Sequence, residues 1–168
     1  MKKDLLFAYC GYFFMIIGLD RITKYFVIDS LKYEGVTEKI YSFLSLRLQF
    51  NRGISWGLLH SNDSLQTAIV TCLTIIVIIV LFVHSYNRAR MGRLIAPQVL
   101  VLAGAVSNLI DRFWYDGVVD FISFSYKGWS FPVFNFADVY IVLGVFSMIL
   151  ILLGERESER HVQEKHLR

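Results

Sequence analysis

Asp120 and Asp138 lie on either side of one connecting segment, and both are next to apolar stretches. This spacing permits their carboxyl groups to meet. Two carboxylates in a partly desolvated pocket cannot both ionise cheaply, so they would share one proton near neutral pH. One could then deprotonate a water molecule while the other polarises a peptide carbonyl. The pair is a candidate acid and base for peptide hydrolysis that requires no cofactor and no metal.

A structural role is equally open for Asp138. Asn135 and Asp138 have the Asn-x-x-Asp spacing of a helix cap, in which side chains and backbone amides satisfy each other at the start of a helix. Asp120 follows Gly117 and two valines and has no such pattern before it. Spacing therefore leaves both interpretations of Asp138 open.

Polar side chains recur at four-residue intervals within two apolar stretches. Gly104, Asn108 and Arg112 would share one helix face, where the glycine permits close approach of another helix and the polar pair faces protein. A packing seam with an interhelical hydrogen bond is the alternative, but an arginine on this face favours a functional role. Asp20 and Lys24 have the same spacing, which is also that of a local ion pair at the membrane surface.

The composition places these residues in a membrane protein of one domain, 1–168. Of 168 residues, 55% are hydrophobic, and the mean hydropathy is +0.51. The segment Ser64–Val83 carries no charge over the length needed to cross a bilayer, whereas three shorter apolar runs must extend into charged neighbours. We expect a mainly α, polytopic fold with four transmembrane helices, over about residues 5–27, 64–83, 94–112 and 137–154, and a charged tail over 155–168.

Loop charges predict the orientation. Arg88, Arg90 and Arg93 crowd the short connection between the second and third spans, which indicates that this loop and both termini are cytoplasmic. The first span resembles a signal peptide, but Asp20-Arg21 follows it without a small-residue cleavage site, so it is expected to remain in the protein.

The two outer connections are expected to lie at the membrane surface. Ile40–Phe50 alternates apolar and polar residues, which predicts a strand or short hairpin, and residues 121–136 are rich in aromatic side chains. Trp56, Trp114 and Trp129 would anchor these loops at the interface or close over a substrate.

Other classes of function have less support. The net charge is only +3 and the basic residues flank the spans, so no nucleic acid is expected as a partner. The four histidines form no HExxH motif. Ser125 and Lys127 could serve a hydrolase but have no distinguishing context. A small proton- or ion-translocating protein would distribute its carboxylates across membrane depth, whereas here they cluster on one side.

Five sequence blocks, in order along nearly the whole chain, resemble the lipoprotein (type II) signal peptidase of bacteria. The blocks are Asp20-Arg21-Ile22-Thr23-Lys24, Asn51-Arg52-Gly53, Gly104-Ala105-Val106-Ser107-Asn108-Leu109-Ile110-Asp111-Arg112, Gly117-Val118-Val119-Asp120-Phe121 and Phe134-Asn135-Phe136-Ala137-Asp138. Any one block is weak evidence, but the last three together are specific. The resemblance implies a bacterial inner-membrane aspartic endopeptidase that cleaves diacylglyceryl-modified prolipoproteins before the lipidated cysteine.

The resemblance also implies roles for individual residues. Asp120 and Asp138 match the catalytic pair, and Asp20 and Lys24 match a supporting polar pair. The positions that would hold the dyad or bind substrate are Asn51, Gly53, Gly104, Asn108, Arg112 and Asn135.

The resemblance implies three kinds of partner: lipid-modified prolipoproteins, membrane lipids and inhibitors of the globomycin type. We expect a monomer whose active site lies near the outer leaflet. Many relatives have Asn-Thr-Gly-Ala-Ala-Phe where this chain has bulky Arg52, Ile54 and Trp56, which predicts a different pocket wall. An inactive homologue acting as a binding factor is a further alternative, although the intact aspartates argue against it.

Overall fold

The structure, a computed structural model, describes residues 3–53, 64–115 and 117–166. Its helices are α1 (Lys3–Leu31), α2 (Ser64–Arg90), α3 (Ala96–Tyr115) and α4 (Phe136–His166). Its strands are β1 (Thr37–Lys39), β2 (Leu44–Asn51), β3 (Val118–Tyr126) and β4 (Trp129–Ser130). The described chain is therefore mainly helical with a small antiparallel sheet, as the sequence predicted.

Three helices of the described residues are long and apolar enough to cross a membrane. The segments are Asp4–Leu31, Thr67–Arg90 and Phe136–Ser158. Little of their apolar surface is buried inside the protein, as expected for helices that face lipid. α3 is not among the three, so its crossing of the membrane stays a prediction.

α3 occupies the centre of the helical bundle, where it packs against α1, α2 and α4. Two glycines let α3 and α4 approach closely. A Cβ atom at Gly104 would lie 2.6 Å from the carbonyl oxygen of Ala137, and one at Gly144 would lie 2.5 Å from the side chain of Val101. The close packing brings the polar face of α3 against the first turn of α4.

The four strands form one antiparallel sheet in the order β1-β2-β3-β4. β2 carries most of the strand predicted over Ile40–Phe50. Its partner β3 comes from a segment that the sequence analysis treated as an outer loop. The pairing sets Asn51 opposite Val118 and Gln49 opposite Asp120. Backbone pairing therefore holds Asp120 in place.

One face of the sheet packs on the C-terminal part of α1. A cluster of buried side chains joins them: Val27, Leu31, Leu48, Val119 and Phe121. Burial of each of the three strand side chains away from water stabilises the fold by roughly 1.5–3 kcal/mol. The cluster fixes the sheet to one end of the helical bundle, beside the start of α4.

Candidate active site

Asp120 lies on β3 with only 1% of its surface exposed. Both oxygens of its carboxyl group accept hydrogen bonds from side-chain amides. Asn51 Nδ2 donates to Oδ2 at 2.9 Å, and Asn135 Nδ2 donates to Oδ1 at 2.8 Å. Asn51 ends β2, so the pairing of β2 with β3 brings it to Asp120.

Asp138 lies in the first turn of α4. Its Oδ2 accepts a hydrogen bond from the backbone amide of Asn135 at 3.1 Å, and its own backbone amide donates to Asn135 Oδ1 at 3.0 Å. This reciprocal pair is the helix cap that the sequence predicted. The other oxygen, Oδ1, accepts a bond from Asn108 Nδ2 at 2.8 Å. Asp138 therefore caps α4 and still presents a carboxyl group to α3.

Asn108 and Asn135 connect the two carboxyl groups. Asn135 Nδ2 donates to Asn108 Oδ1 at 3.1 Å as well as to Asp120, while Asn108 donates to Asp138. Two neutral amides thus link Asp120 to Asp138 in a continuous chain of hydrogen bonds. Such a chain restricts the rotamers of both carboxyl groups.

Both carboxyl groups line one cavity of about 180 Å³. Its remaining lining residues are Asn51, Gly53, Val70, Asn108, Arg112 and Val118. The cavity thereby brings together six of the ten residues that the sequence singled out as catalytic or supportive. Of the other four, Gly104 permits the α3–α4 contact described above, and Asn135 donates hydrogen bonds to Asp120 and Asn108. Asp20 and Lys24 form an ion pair outside the cavity.

A buried ion cluster lies behind the amides. Lys24 Nζ is 2.8 Å from Asp20 Oδ2, 2.7 Å from Asp111 Oδ2 and 2.9 Å from Asn108 Oδ1. The Lys24 side chain is 2% exposed and those of both aspartates are fully buried. The predicted Asp20–Lys24 pair exists, but it is buried inside the protein rather than exposed at its surface.

The two aspartates of this cluster also bind the backbone of the site. Asp20 Oδ1 accepts a hydrogen bond from the amide of Ala137 at 2.9 Å, at the start of α4. Asp111 Oδ2 accepts one from the amide of Val119 at 3.1 Å, next to Asp120. Each carboxylate therefore holds the strand or helix that carries one of the candidate catalytic aspartates.

Sequence reasoning missed three members of this cluster: Arg21, Ser107 and Asp111. Arg21 lies 2.6 Å from Asp111 Oδ1, and Ser107 donates to Asp20 Oδ2 at 2.6 Å. Ser107 and Asp111 are spaced four residues apart, next to the Asn108–Arg112 stripe. This second polar row on the same helix was the available signal.

Arg112 and Gly53 occupy the cavity wall. Among the described residues, no hydrogen bond or ion pair joins Arg112 to a protein partner, although Asp120 and Asp138 are close enough to attract its charge. Gly53 donates its backbone amide to Asn51 Oδ1 at 3.1 Å, which fixes the amide orientation of Asn51. The Asn51 amide nitrogen is thereby directed at Asp120.

The environment of Asp120 changes its acidity. Burial raises the pKa of this carboxyl group, and the negative charge of Asp138 raises it further. Hydrogen bonds from Asn51 and Asn135 act in the opposite direction without cancelling these effects, so that the pKa is about 7. At neutral pH Asp120 can therefore gain or lose a proton, as acid–base chemistry requires.

Several residues that the sequence analysis named do not line the cavity or lie outside the described part of the chain. Trp114 and Trp129 are 70% and 64% exposed, on α3 and β4. Ser125 and Lys127 are exposed at the end of β3 and in the turn after it. Trp56 and Ile54, on which the predicted change of the pocket wall depends, lie outside the described residues.

Paired buried carboxyl groups at one end of a bundle of apolar helices are typical of a membrane-embedded aspartic hydrolase. Comparison with known proteins agrees. The family profile of signal peptidase (SPase) II matches residues 12–154. The lipoprotein signal peptidase of Rickettsia conorii is 37% identical over 151 residues, covering 89% of this chain and 73% of its own. That of Rickettsia prowazekii is 35% identical and covers 98% and 84%.

Solved structures agree as well. A bacterial membrane enzyme determined by the in meso method at 2.3 Å resolution superposes with a TM-score of 0.69 and 25% identity, covering 90% of each chain. A second such structure, at 1.9 Å, has a TM-score of 0.65 and 26% identity, covering 87% of this chain and 92% of its own. The chain belongs to the signal peptidase II family of membrane-bound aspartic peptidases.

Proposed function

We propose that this peptidase removes the signal peptide from diacylglyceryl-modified prolipoproteins by cutting before the lipidated cysteine, with Asp120 and Asp138 as the acid–base pair. The central support is the single cavity that both carboxyl groups line. The names of the relatives support the substrate class.

In the proposed reaction the two carboxyl groups share one proton. The ionised one takes a proton from water, and the resulting hydroxide attacks the carbonyl carbon of the scissile peptide bond. The protonated one donates to the carbonyl oxygen, giving a neutral tetrahedral intermediate. As the C–N bond breaks, the carboxyl group that took the water's proton gives it to the leaving amine. The other carboxyl group takes a proton from a hydroxyl of the intermediate as the new carboxyl product forms, so the dyad again holds one proton.

The neutral partners of the dyad suit this chemistry. Asn51, Asn108 and Asn135 orient the carboxyl groups through amide hydrogen bonds and bring no full charge into contact with them. A cation bonded directly to the dyad would favour ionisation of both groups. Arg112, which lines the cavity, would instead stabilise negative charge that develops on the substrate.

The membrane setting is part of the proposal. α3 serves as the fourth transmembrane helix, both termini are cytoplasmic, and the dyad lies near the outer leaflet of the bacterial inner membrane. Contacts at the end of the bundle support this topology. Arg88 and Arg93, around the short α2–α3 connection, lie 2.8 and 2.9 Å from Glu155 near the charged tail. Positive residues in this short connection favour its cytoplasmic location.

Lys24, which contacts both carboxylates of the buried cluster, donates to Asn108, and Asn108 donates to Asp138, so the two groups of carboxylates lie close together. This arrangement supports a surface-opening hydrolase over the alternative of an ion pathway, whose carboxylates would be spread across the membrane. In the proposal the enzyme acts as a monomer, contacts membrane lipids, and is inhibited by compounds of the globomycin type.

Cleavage of a purified prolipoprotein tests the proposal. The enzyme is incubated with the diacylglyceryl-modified precursor and with the same precursor lacking the lipid, and mass spectrometry identifies the new N-terminus. We expect a product that begins with the lipidated cysteine and little cleavage of the unmodified precursor. Equal cleavage of both precursors, or a cut at another position, would contradict the proposed specificity.

A further inference from the structure

An apolar groove lies beside the dyad, between the start of α4 and the segment that precedes it. Its volume is about 450 Å³. One wall is the segment Phe131–Phe134, and the other is the α4 surface formed by Val139, Ile141, Val142 and Leu143. Asp138 is the charged residue among its lining residues.

Asp138 joins this groove to the candidate active site, since the same side chain also lines the cavity that holds Asp120. A molecule that occupies the groove therefore begins at the reacting groups. From Asp138 to Leu143 the helix rises about 7.5 Å, and the groove runs beside this stretch. Val142 and Leu143 are 66% and 51% exposed. The groove therefore opens onto the apolar outer surface of α4.

The outer wall is rigid because it is bonded to β3. The backbone of Phe134 accepts hydrogen bonds from the amides of Phe121 and Ile122 and donates one to Ile122. The Phe134 ring stacks on Phe124 with centroids 5.9 Å apart, and its edge meets Phe131 at 5.7 Å. Strand β3 also carries Asp120, so groove and dyad belong to one fixed unit that need not rearrange on binding.

We propose that this groove holds an acyl chain of the substrate's own diacylglyceryl group. The inference rests on the proposed function, because it requires a lipid attached to the residue immediately after the scissile bond. A long apolar chain attached at that point must leave the dyad over an apolar surface, and the Asp138 groove leads from the dyad to the lipid-facing side of α4.

The groove would act through packing and position. Bilayer lipid is as apolar as the groove, so transfer of the chain between them gains little from the hydrophobic effect. A shaped groove still favours one path for the chain and thereby fixes the scissile bond against the dyad. The expected effect of blocking the groove is consequently moderate and depends on the length of the acyl chain.

Val142→Trp blocks the groove, and Leu153→Trp is the matched control, because it places the same side chain three turns along the same exposed helix face. Each variant is assayed in micelles of fixed composition with lipopeptides bearing two long or two short acyl chains. We expect Val142→Trp to lower kcat/KM for the long-chain substrate roughly ten-fold, with less effect for the short-chain one. Leu153→Trp should match the wild type.

An unchanged kcat/KM in Val142→Trp, or an equal change for both chain lengths, would overturn the inference. The second outcome would mean that the tryptophan disturbs the peptide or the dyad. If the wild type cleaves neither lipopeptide, the proposed function itself fails, which is a different result. Thermal melting of both variants establishes that they are folded.

Photo-crosslinking of the wild type locates the acyl chain directly. An uncleavable lipopeptide carries a diazirine at the end of one acyl chain, and labelled peptides are identified by mass spectrometry. We expect labels in 131–134 or 139–143. Labels only elsewhere in the chain would overturn the inference, as would labelling of the groove by a diazirine phospholipid that excess lipopeptide does not displace.

Discussion

Two clusters of charge lie at different places in the helical bundle and differ in burial. Around Lys24, the side chains of Asp20 and Asp111 are fully buried, and that of Lys24 is 2% exposed. Around Glu155, the side chains of Arg88 and Arg93 are 10% and 42% exposed, and that of Glu155 is 28% exposed. The distances between charged atoms are nearly the same in the two clusters, so geometry does not distinguish them.

Environment determines what each cluster does. Solvent screens exposed ion pairs, and they contribute little to stability, whereas the loss of one partner from a buried cluster leaves a charge without compensation. The buried ion cluster around Lys24 also binds the backbone of β3 and α4, the two elements that carry the dyad. The comparison teaches that the chain places the buried ion cluster one layer behind the reacting groups and neutral amides in hydrogen-bond contact with them.

The largest expected effect comes from Lys24→Met. This change leaves Asp20 and Asp111 buried with Arg21 as their remaining cation, and it frees the oxygen of Asn108 from one of its two donors. We expect a loss of about 3–5 kcal/mol in the free energy of unfolding, as for other broken buried ion pairs, and low activity. Thermal unfolding in detergent measures the stability.

Lys39→Met is the control for Lys24→Met, because Lys39 is exposed on β1. It should behave as wild type in both assays. A Lys24→Met enzyme of wild-type stability would show that burial does not distinguish the two clusters.

The pKa of Asp120 predicts how stability varies with pH. Because this pKa is raised from 3.8 to about 7, the folded state binds a proton between these values that the unfolded state does not. Its stabilising effect is complete at low pH and disappears as pH rises through about 7, a change of a few kcal/mol. Asp120→Asn should therefore have a smaller difference in melting temperature between pH 5 and pH 8 than the wild type. An unchanged difference would contradict the raised pKa.

A smaller effect is expected from Gly104→Ala. The new Cβ would lie 2.6 Å from the Ala137 carbonyl oxygen and 2.9 Å from Cγ1 of Ile141, which forces α3 and α4 apart. Overpacking of this kind costs about 1–3 kcal/mol. It would also move Asn108 away from Asp138, so we expect a reduced cleavage rate. The control Gly18→Ala has no atom within 4 Å of its Cβ and should retain activity. Equal behaviour of the two variants would contradict the role of Gly104.

Arg93→Ala, in the exposed cluster around Glu155, should have the smallest effect. Arg93 is 42% exposed, and Arg88 also contacts its partner Glu155. The melting temperature should stay within about 2 °C of the wild type, and the cleavage rate should be unchanged. A drop comparable to that of Lys24→Met would remove the distinction between the clusters.

Much of the site could be predicted from local patterns. Four-residue spacing placed Gly104, Asn108 and Arg112 on one helix face, and the Asn135–Asp138 cap occurs as its spacing indicates. The cap did not exclude a place in the cavity, because one oxygen of Asp138 caps the helix while the other binds Asn108. The two interpretations that the sequence left open are compatible.

The remainder depends on contacts between distant parts of the chain. β3 owes its position to pairing with β2, about 70 residues earlier in the chain, and nothing near Asp120 predicts that partner. The partners of Asp111 are likewise distant in the sequence. Beside Arg112 in sequence it suggests a local pair, yet it binds Lys24 and Arg21 on α1. Local periodicity cannot report which helix faces meet.

The central claim is that Asp120 and Asp138 act as the acid–base pair, and cleavage kinetics of Asp120→Asn and Asp138→Asn test it most directly. Asp29→Asn, at an exposed aspartate on α1, is the matched control. We expect each dyad variant to be folded by thermal melting and to cleave the diacylglyceryl-modified precursor at least about a thousand-fold more slowly, with the control unchanged. Wild-type cleavage by either folded dyad variant would contradict the claim.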